Sequence, residues 1–326
     1  MKRSSRYCSL VVPVVVLAGG CYANEEDDPG FNEFRSTGAC TTCGYGNGNS
    51  PYINRSDIPE LHQFGLPNST SVTIIGVRSP AHKLHHLRVI DDEFVALKGS
   101  TVVASGGQLV GWTIILDTPD GQVDVHISAH DGQVPSLVDG GPMSSAYGLK
   151  YEHQDMPGEL ISVCPGEGAD DAVVTLVLGE TYDPELKLVN ADQAGWFTLA
   201  CGGEAVAKMK LLNYGPSADF DGSGEPATVD QRQATLKMIT ADYCGTGTSY
   251  TVQGLAVVWA DEAGTVGPTS PPAGASVEAI WTADGAVCLD TPRWADPQVV
   301  AEECVLPSCD QISPNTPGIV WRTYHP

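Results

Sequence analysis

Residues 228–251, TVDQRQATLKMITADYCGTGTSYT, are the stretch around which the chain is organised. Thr228 and Gln231 have the T-x-x-Q spacing of a capping box, which predicts the start of a helix. Its apolar residues recur on one helical face, at Leu236, Ile239 and Tyr243. Gly245 occupies a position where the C-terminus of a helix often takes a left-handed residue. The stretch therefore predicts an amphipathic helix that packs by one face and whose end, at Cys244, is tied elsewhere through sulfur.

The first twenty residues predict export. Lys2, Arg3 and Arg6 form a positive segment, and residues 10–17 (LVVPVVVL) follow as an apolar run. That run is too short to span a bilayer and contains Pro13, so it is typical of a secretion signal rather than of a membrane helix. We therefore expect the chain to leave the cytoplasm.

The end of this signal, Leu17-Ala18-Gly19-Gly20-Cys21, resembles the lipobox of bacterial lipoproteins. The resemblance implies that residues 1–20 are a lipoprotein signal peptide, that Cys21 carries a diacylglycerol, and that membrane lipid is a partner through this anchor. Tyr22 follows the cysteine where an aspartate would imply inner-membrane retention, so the resemblance implies the outer membrane. The alternative is an ordinary signal peptide cleaved near Ala23, which would leave Cys21 as a free or bridged thiol.

The mature chain is strongly acidic. Removing residues 1–20 takes away three cations and leaves 14 Lys and Arg against 40 Asp and Glu. A surface of this charge repels phosphate backbones, which argues against nucleic acid as a partner, and it disfavours docking of the folded body on anionic lipid. We therefore expect the lipid at Cys21, rather than the protein surface, to hold the molecule in the cell envelope.

Composition and periodicity predict a mainly β, sandwich- or barrel-like fold with one or two short helices in the C-terminal part. The chain has 36 Gly and 23 Pro, and short β-branched runs separated by turn residues begin near residue 71. A second helix is predicted at 203–212 (GEAVAKMKLL). Outside these elements we predict a flexible tether at 21–68, a β-rich N-terminal region at 69–194 and a surface tail at 294–326.

Eight cysteines remain once Cys8 in the signal and Cys21 are set aside. They are Cys40, Cys43, Cys164, Cys201, Cys244, Cys288, Cys304 and Cys309. An even number in an exported chain favours four disulfides, although eight cysteines allow about 105 pairings. Cys40 and Cys43 also have the CxxC spacing of a redox motif or of half a metal site. Because the pair lies in a Gly/Asn/Ser-rich segment without a flanking βαβ pattern, we expect a structural bridge there.

Three blocks occur in order in the C-terminal half: GWFTLACGGEAVAK at 195–208, ITADYCGTG at 239–247 and WTADGAVCLDTPR at 281–293. Together they resemble the ADYC domain of predicted bacterial lipoproteins, whose Ala-Asp-Tyr-Cys signature is here residues 241–244. The resemblance covers 195–293 as an ADYC-like domain and extends more loosely back to about residue 93. It implies no established molecular activity.

The resemblance also implies a disulfide pattern. Members of the family often carry two further cysteines at positions where this chain has Met209 and Thr235, and the joint absence suits the loss of one bridge. The cysteines that remain in the region would then pair among themselves. The predicted disulfides are Cys164–Cys201 and Cys244–Cys288. Each closes a loop of about 40 residues, worth about 4 kcal/mol in the chain-entropy description.

Residues 219–230 (DFDGSGEPATVD) form the best candidate for a ligand site. The oxygen-bearing residues at calcium-loop spacing are Asp219, Asp221, Ser223, Glu225 and Asp230. Pro226 at the eighth position and the short Asp230 at the twelfth depart from the calcium motif. We therefore favour a Gly/Asp turn that caps the following helix over a Ca²⁺ site.

Histidines gather in two places. They are His82, His85 and His86 before one strand, and His126 and His130 with Asp124 on another. Imidazoles on neighbouring strands can bind zinc. Because His85 and His86 are adjacent and point to opposite faces of a strand, we favour surface histidines over a metal site.

Motifs of hydrolases and nucleotide-binding proteins are missing: the chain has no G-x-S-x-G, HExxH or Walker loop. We therefore expect an exported protein that acts by binding or structure rather than by catalysis, with a protein or glycan as a potential partner. Two alternatives stay open. One is an extracytoplasmic hydrolase whose catalytic residues converge only in three dimensions, and the other is a calcium-dependent binding module.

Overall fold

The computed structural model describes residues 51–54, 56–164, 173–252, 255–267 and 273–326. Across these ranges the chain is mainly β, with nineteen strands, three α-helices and two short 3₁₀ helices. Within the same ranges no helix is long and apolar enough to cross a membrane. The prediction of a mainly β fold with short C-terminal helices is confirmed, although the described helices number three rather than one or two.

The strands of the first part are, in chain order, β1 (Tyr52–Ile53), β2 (Ser56–Asp57), β3 (Glu60–His62), β4 (Thr73–Arg78), β5 (Leu84–Ile90), β6 (Glu93–Lys98), β7 (Thr101–Ser105), β8 (Thr113–Thr118), β9 (Gly121–Val134), β10 (Ser144–Glu152), β11 (Leu160–Ser162), β12 (Val174–Leu178), β13 (Thr181–Asp183), β14 (Leu188–Asn190) and β15 (Trp196–Cys201). They are followed by α1 (Ala205–Leu211), α2 (Val229–Thr240), β16 (Val258–Asp261), β17 (Ser276–Thr282), β18 (Gly285–Leu289), α3 (Pro297–Glu303) and β19 (Trp321–His325). The 3₁₀ helices are Gly106–Leu109 and Cys309–Gln311.

Eleven of the strands form one antiparallel sheet. Its order is β3-β15-β12-β10-β9-β8-β4-β5-β6-β7, with β11 paired to β10. The sheet folds over onto itself, because the ring of Phe94 on β6 lies 4.8 Å from that of Tyr147 on β10 and 6.0 Å from that of Phe197 on β15. The sheet therefore encloses its own apolar core, which is the sandwich-like arrangement that the sequence predicts.

The alternation of residues along β5 shows how the sequence sets the two faces of this sheet. Leu87 and Val89 are buried in the core, whereas Leu84 and Ile90 are 58% and 45% exposed. Successive side chains of a strand point to opposite faces, so this pattern gives β5 one core face and one open face.

The C-terminal part is built around α2. Strands β16, β19, β17 and β18 form a four-stranded antiparallel sheet in that order, and α2 packs against it. Every residue from Arg232 to Thr240 is buried. Trp321 of β19 donates its indole N–H to Thr235 Oγ1 at 2.8 Å, so even the polar side of the helix is covered. The expectation of packing by a single apolar face is therefore wrong.

The predicted capping box is confirmed, and the predicted end of the helix is corrected. Thr228 Oγ1 accepts the N–H of Gln231 at 3.2 Å, and Gln231 Oε1 accepts the N–H of Thr228 at 2.7 Å. The helix ends at Thr240, and its left-handed C-cap is Ala241 with φ of 51°, ahead of Gly245, which is also left-handed with φ of 73°. Tertiary contacts of the next residues override the local glycine signal.

Two predicted boundaries also change. The tether expected at 21–68 ends earlier, because β1 to β3 are ordered and Ile53, Ile58 and Leu61 are at most 3% exposed in the core of the large sheet. Single apolar residues among polar ones gave too little periodicity to reveal these short strands. The tail expected on the surface inserts β19 between β16 and β17, and Trp321 is fully buried there.

Candidate functional site

The four residues of the 241–244 signature lie where the end of α2 meets the turn between β17 and β18. We call this place the junction. The left-handed conformation of Ala241 reverses the chain, and its N–H donates to the carbonyl oxygen of Met238 at 3.2 Å. The carbonyl of Ala241 accepts the N–H of Tyr250 at 3.2 Å, and that of Tyr243 accepts the N–H of Ala286 at 2.9 Å. Backbone hydrogen bonds to α2, to the following loop and to β18 therefore hold the signature in place.

Asp242 forms a fully buried ion pair. Its Oδ2 lies 2.6 Å from Nζ of Lys237, and the two side chains are 0% and 1% exposed. Lys237 also donates to the carbonyl oxygens of Leu186 at 2.7 Å and Gly245 at 3.1 Å, so all three ammonium donors are used. The N–H of Gly247 donates to the same Oδ2 at 2.8 Å. The Lys237–Asp242 pair therefore holds the segment that follows α2 against the last turns of the helix.

Tyr243 belongs to a second buried polar group. Its hydroxyl donates to Glu278 Oε1 at 2.5 Å and accepts the backbone N–H of Arg293 at 2.9 Å. Arg293 Nε lies 2.7 Å from the same Glu278 oxygen. Burial, and next the Glu278 carboxylate, raise the pKa of Tyr243 well above its ordinary value. The phenol is therefore a neutral structural donor whose ring stacks on Trp281 at 5.2 Å.

Cys244 completes the junction by a disulfide to Cys304, with the Cα atoms 5.6 Å apart. Cys304 directly follows α3. The carboxylate of Glu303, the last residue of α3, accepts hydrogen bonds from the hydroxyls of Thr246, Thr248 and Tyr250. Sulfur and hydrogen bonds thus fasten α3 to the loop that follows the signature.

The disulfides of the described residues are Cys164–Cys201, Cys244–Cys304 and Cys288–Cys309. The first pair confirms the prediction. The predicted Cys244–Cys288 bond is wrong, because the C-terminal tail returns to the four-stranded sheet and supplies both partners; the N–H of Leu289 on β18 donates to the carbonyl of Pro307 at 3.0 Å. Cys21, Cys40 and Cys43 lie outside the described residues, so the lipid anchor and the CxxC bridge stay predictions.

The junction offers no reacting group to solvent. Asp242 and Glu278 are fully buried and Tyr243 is 1% exposed. Asp242 Oδ1, Glu278 Oε2 and Arg293 Nη2 are buried without a hydrogen-bond partner among the described residues. Burying such atoms costs free energy. The ion pairs Lys237–Asp242 and Arg293–Glu278 must offset this cost. The side chains of Asp242, Tyr243 and Glu278 are therefore engaged in contacts inside the fold.

A second polar cluster gathers on Glu93, at the start of β6. Tyr147 donates its hydroxyl to Glu93 Oε2 at 2.8 Å, Ser145 donates to Oε1, and His130 Nε2 lies 3.5 Å from Oε1. The backbone of Gly106 closes over it, since a Cβ there would lie 2.6 Å from Glu93 Oε2. The Glu93 and His130 side chains keep 30% and 13% exposure, whereas Tyr147 is fully buried and His130 Nε2 is buried without a hydrogen-bond partner among the described residues.

The Glu93 cluster brings a carboxylate, an imidazole and two hydroxyls within reach of one another. Burial, and next the bond to Glu93, raise the pKa of Tyr147 well above its ordinary value, so the phenol stays protonated. Ser145 donates to the carboxylate rather than to His130, which leaves the hydroxyl without an imidazole base. Of the four residues the sequence pointed only to His130, because the others lie on strands β6 and β10 and no motif joins them.

The predicted calcium ligands are not brought together: Asp219, Asp221, Ser223, Glu225 and Asp230. Asp219 Oδ1 accepts the N–H of Gly224 at 2.9 Å, and Asp221 Oδ1 accepts that of Ser223 at 3.0 Å, as in a self-bonded turn. In the part of the chain that the structure describes, no three His, Cys, Asp or Glu residues are placed to hold a metal ion. These bonds place Asp219 and Asp221 in a turn that leads into α2.

The histidines take separate surroundings. His82 and His86 are exposed, as expected for surface residues. The ring of His85 lies 5.3 Å from that of Trp112, and His126 Nδ1 lies 3.3 Å from Thr113 Oγ1. His130 is the exception, because it packs at 4.8 Å against Tyr147 beside Glu93.

The fold and the junction define a disulfide-stapled, mainly β protein whose C-terminal part is organised by a buried helix end. The chain belongs to the ADYC domain family, since the family model of the ADYC domain matches residues 106–295. The match is wider than the predicted 195–293, because it takes in most of the large sheet as well as the junction. Comparisons with curated proteins and with solved structures gave no match.

Proposed function

We propose that the protein is an exported protein of the cell envelope, anchored by lipid at Cys21 in the outer membrane, and that its folded body is a structural or binding module rather than an enzyme. The observation that carries the proposal is that all four signature residues are committed to internal contacts. A family defined by a reaction would present its signature to a cleft. Here the signature secures the fold instead.

The surroundings of the junction support this proposal. A cleft beside it, lined by Tyr182, Lys187 and Leu236 among others, has an internal volume of about 10 Å³, enough for about one water molecule. Burial lowers the pKa of Lys187, which lines this cleft. The cleft therefore gives little reason to assign a reaction to this part of the molecule.

The disulfides support the proposal that the protein is exported from the cytoplasm. Three disulfides in the described residues are typical of an exported protein, because cytosolic thiols are kept reduced. The signal segment and the 17–21 motif agree with export.

The anchor is tested by labelling cells with an alkyne fatty acid, comparing the wild type with Cys21→Ala, and fractionating the membranes. We expect label and outer-membrane recovery in the wild type and loss of both in the variant. Recovery of unlabelled wild-type protein in the soluble fraction would remove the anchor from the proposal. It would leave the structural role of the body standing.

A second candidate function is an extracytoplasmic hydrolase, favoured by the convergence of His130, Ser145 and Tyr147 on Glu93. The test is a panel of ester and glycoside substrates with the wild type, His130→Ala and the exposed control His86→Ala. A turnover lost only in His130→Ala, at unchanged melting temperature, would favour the hydrolase. Absence of turnover in the wild type would favour the structural or binding role.

A further inference from the structure

One end of the large sheet differs in charge from the rest of this acidic molecule. The chain has no Asp or Glu between residues 61 and 90, nor between 94 and 116, although it has 40 in all. The intervening acids, residues 91–93, lie at the turn that joins β5 to β6. The opposite end of the same two strands therefore receives no carboxylate from these segments. Asp124, which lies outside them, is paired with Arg78, the register partner of Leu84.

Two lysines occupy that opposite end. Lys83 immediately precedes β5 and Lys98 ends β6, and both are exposed. The strand register places His86 beside Leu97, and Lys98 beside Thr101 at the start of β7. Among the described residues neither ammonium forms a salt bridge. The cationic charge at this end is therefore not neutralised within the fold.

Exposed aliphatic side chains lie beside these lysines. Leu84 is 58% exposed, and Val102 and Val103 on β7 are 53% and 42% exposed. Strand β7 is the edge of the sheet and pairs only with β6. Contiguous exposed apolar patches are typical of surfaces that meet a partner. We call Lys83, Leu84, Lys98, Val102 and Val103 the basic tip.

We propose that the basic tip docks on an anionic phospholipid surface, with its aliphatic side chains among the headgroups and its ammonium groups on the phosphates. The rest of the molecule favours this orientation, because a mature chain with 14 Lys and Arg against 40 Asp and Glu is repelled by the same surface everywhere else. The acidic composition predicted that the folded body avoids anionic lipid. Under this proposal that prediction holds for the surface outside the basic tip. The inference does not depend on acylation of Cys21, because it concerns the folded body alone.

A second copy of the chain fits the tip less well. Two tips brought together would place like charges side by side, and two strongly acidic mature chains repel each other. A lipid surface supplies negative charge and an apolar layer at once, which matches both kinds of side chain.

The test uses the mature chain with Cys21→Ser, so that no acyl chain contributes, in sedimentation with large vesicles. We expect binding to vesicles of phosphatidylglycerol and phosphatidylcholine, none to phosphatidylcholine alone, and weakening by added salt. Removing both charges in Lys83→Ala/Lys98→Ala should lower the partition coefficient by about 10-fold or more. Val102→Ser should lower it as well, whereas Arg322→Ala, a cation already paired with Glu262, should leave it unchanged.

Equal partitioning of the double lysine variant and Arg322→Ala would overturn the proposal. So would the absence of binding to anionic vesicles at low salt. A change of oligomeric state in Val102→Ser without lipid would assign the tip to a second copy instead. The substituted lysines are exposed, so unchanged melting temperatures should show that each variant is folded.

Discussion

Cys244, the last residue of the family signature, is bonded to Cys304, which lies 60 residues later in the tail. A second bond, Cys288–Cys309, fastens the same tail to β18. Because β19 then inserts into the four-stranded sheet, residues beyond the family match at 106–295 complete the C-terminal core. The signature is thus held by the C-terminal tail, which lies outside the family match.

Truncation after residue 295 should prevent folding of the C-terminal part. It removes two disulfide partners and the fully buried Trp321. Loss of a native disulfide alone costs about 2–5 kcal/mol, and removal of a buried Trp about 3–5 kcal/mol. Near-ultraviolet circular dichroism should show loss of the aromatic signal. A truncated chain with the native spectrum and a cooperative melt would contradict the role given to the tail.

Breaking the buried pair in Asp242→Asn should destabilise the protein by about 3–5 kcal/mol, because Lys237 would keep a buried charge without a counterion. The matched control is Glu262→Gln, whose pair with Arg322 is 42% and 26% exposed and should be worth less than about 1 kcal/mol. Urea unfolding measures both. Replacing both buried partners in Lys237→Met/Asp242→Leu should recover part of the loss; if it is worse than Asp242→Asn, the explanation by an uncompensated charge fails.

Gly245→Ala tests the close approach of the signature to the sheet. The glycine has φ of 73°, and a Cβ there would lie 1.9 Å from the carbonyl oxygen of Asp284. Gly264 has φ of 72° and nothing within 4 Å of the same position. Gly264→Ala should cost only the left-handed strain, about 1–2 kcal/mol, and Gly245→Ala clearly more. Equal melting temperatures for the two variants would refute the predicted clash.

The stability of the protein should fall at alkaline pH. Burial raises the pKa of Tyr147, Tyr214 and Tyr243 above the ordinary value in each case. A phenol with a raised folded pKa contributes stability that is fully present below the unfolded value of about 10 and is lost as pH rises through the folded pKa. The absorbance of phenolate should therefore develop for these residues together with unfolding. Ionisation of all tyrosines near pH 10 in the still folded protein would be the opposite result.

Local signals in the sequence predicted the elements that depend on neighbours along the chain. The capping box of Thr228 and Gln231 fixes the start of α2 because both partners lie within one turn. The end of the helix could not be predicted in this way, since it depends on Asp242 meeting Lys237 in a buried setting. The sequence of strand β10 shows no clear alternation, because Ser145 and Gly148 interrupt it, although Tyr147 is fully buried.

Contacts between distant segments limited the prediction of the sites. The Cys164–Cys201 pairing was predicted from the resemblance to the family, which implied that the cysteines of this region pair among themselves. The partner of Cys288 lies in a proline-bearing tail that gave no periodic signal. In the same way His130 was visible as a candidate, whereas Glu93 joins it only after β6 folds across the sheet.

The pairing of the cysteines is the most direct test of the claim that disulfides join the signature and β18 to the C-terminal tail. Protein isolated from cells without reduction is digested, and the linked peptides are identified by mass spectrometry. We predict the links Cys244–Cys304 and Cys288–Cys309 together with Cys164–Cys201. A Cys244–Cys288 peptide, or free thiols at these positions, would contradict the account.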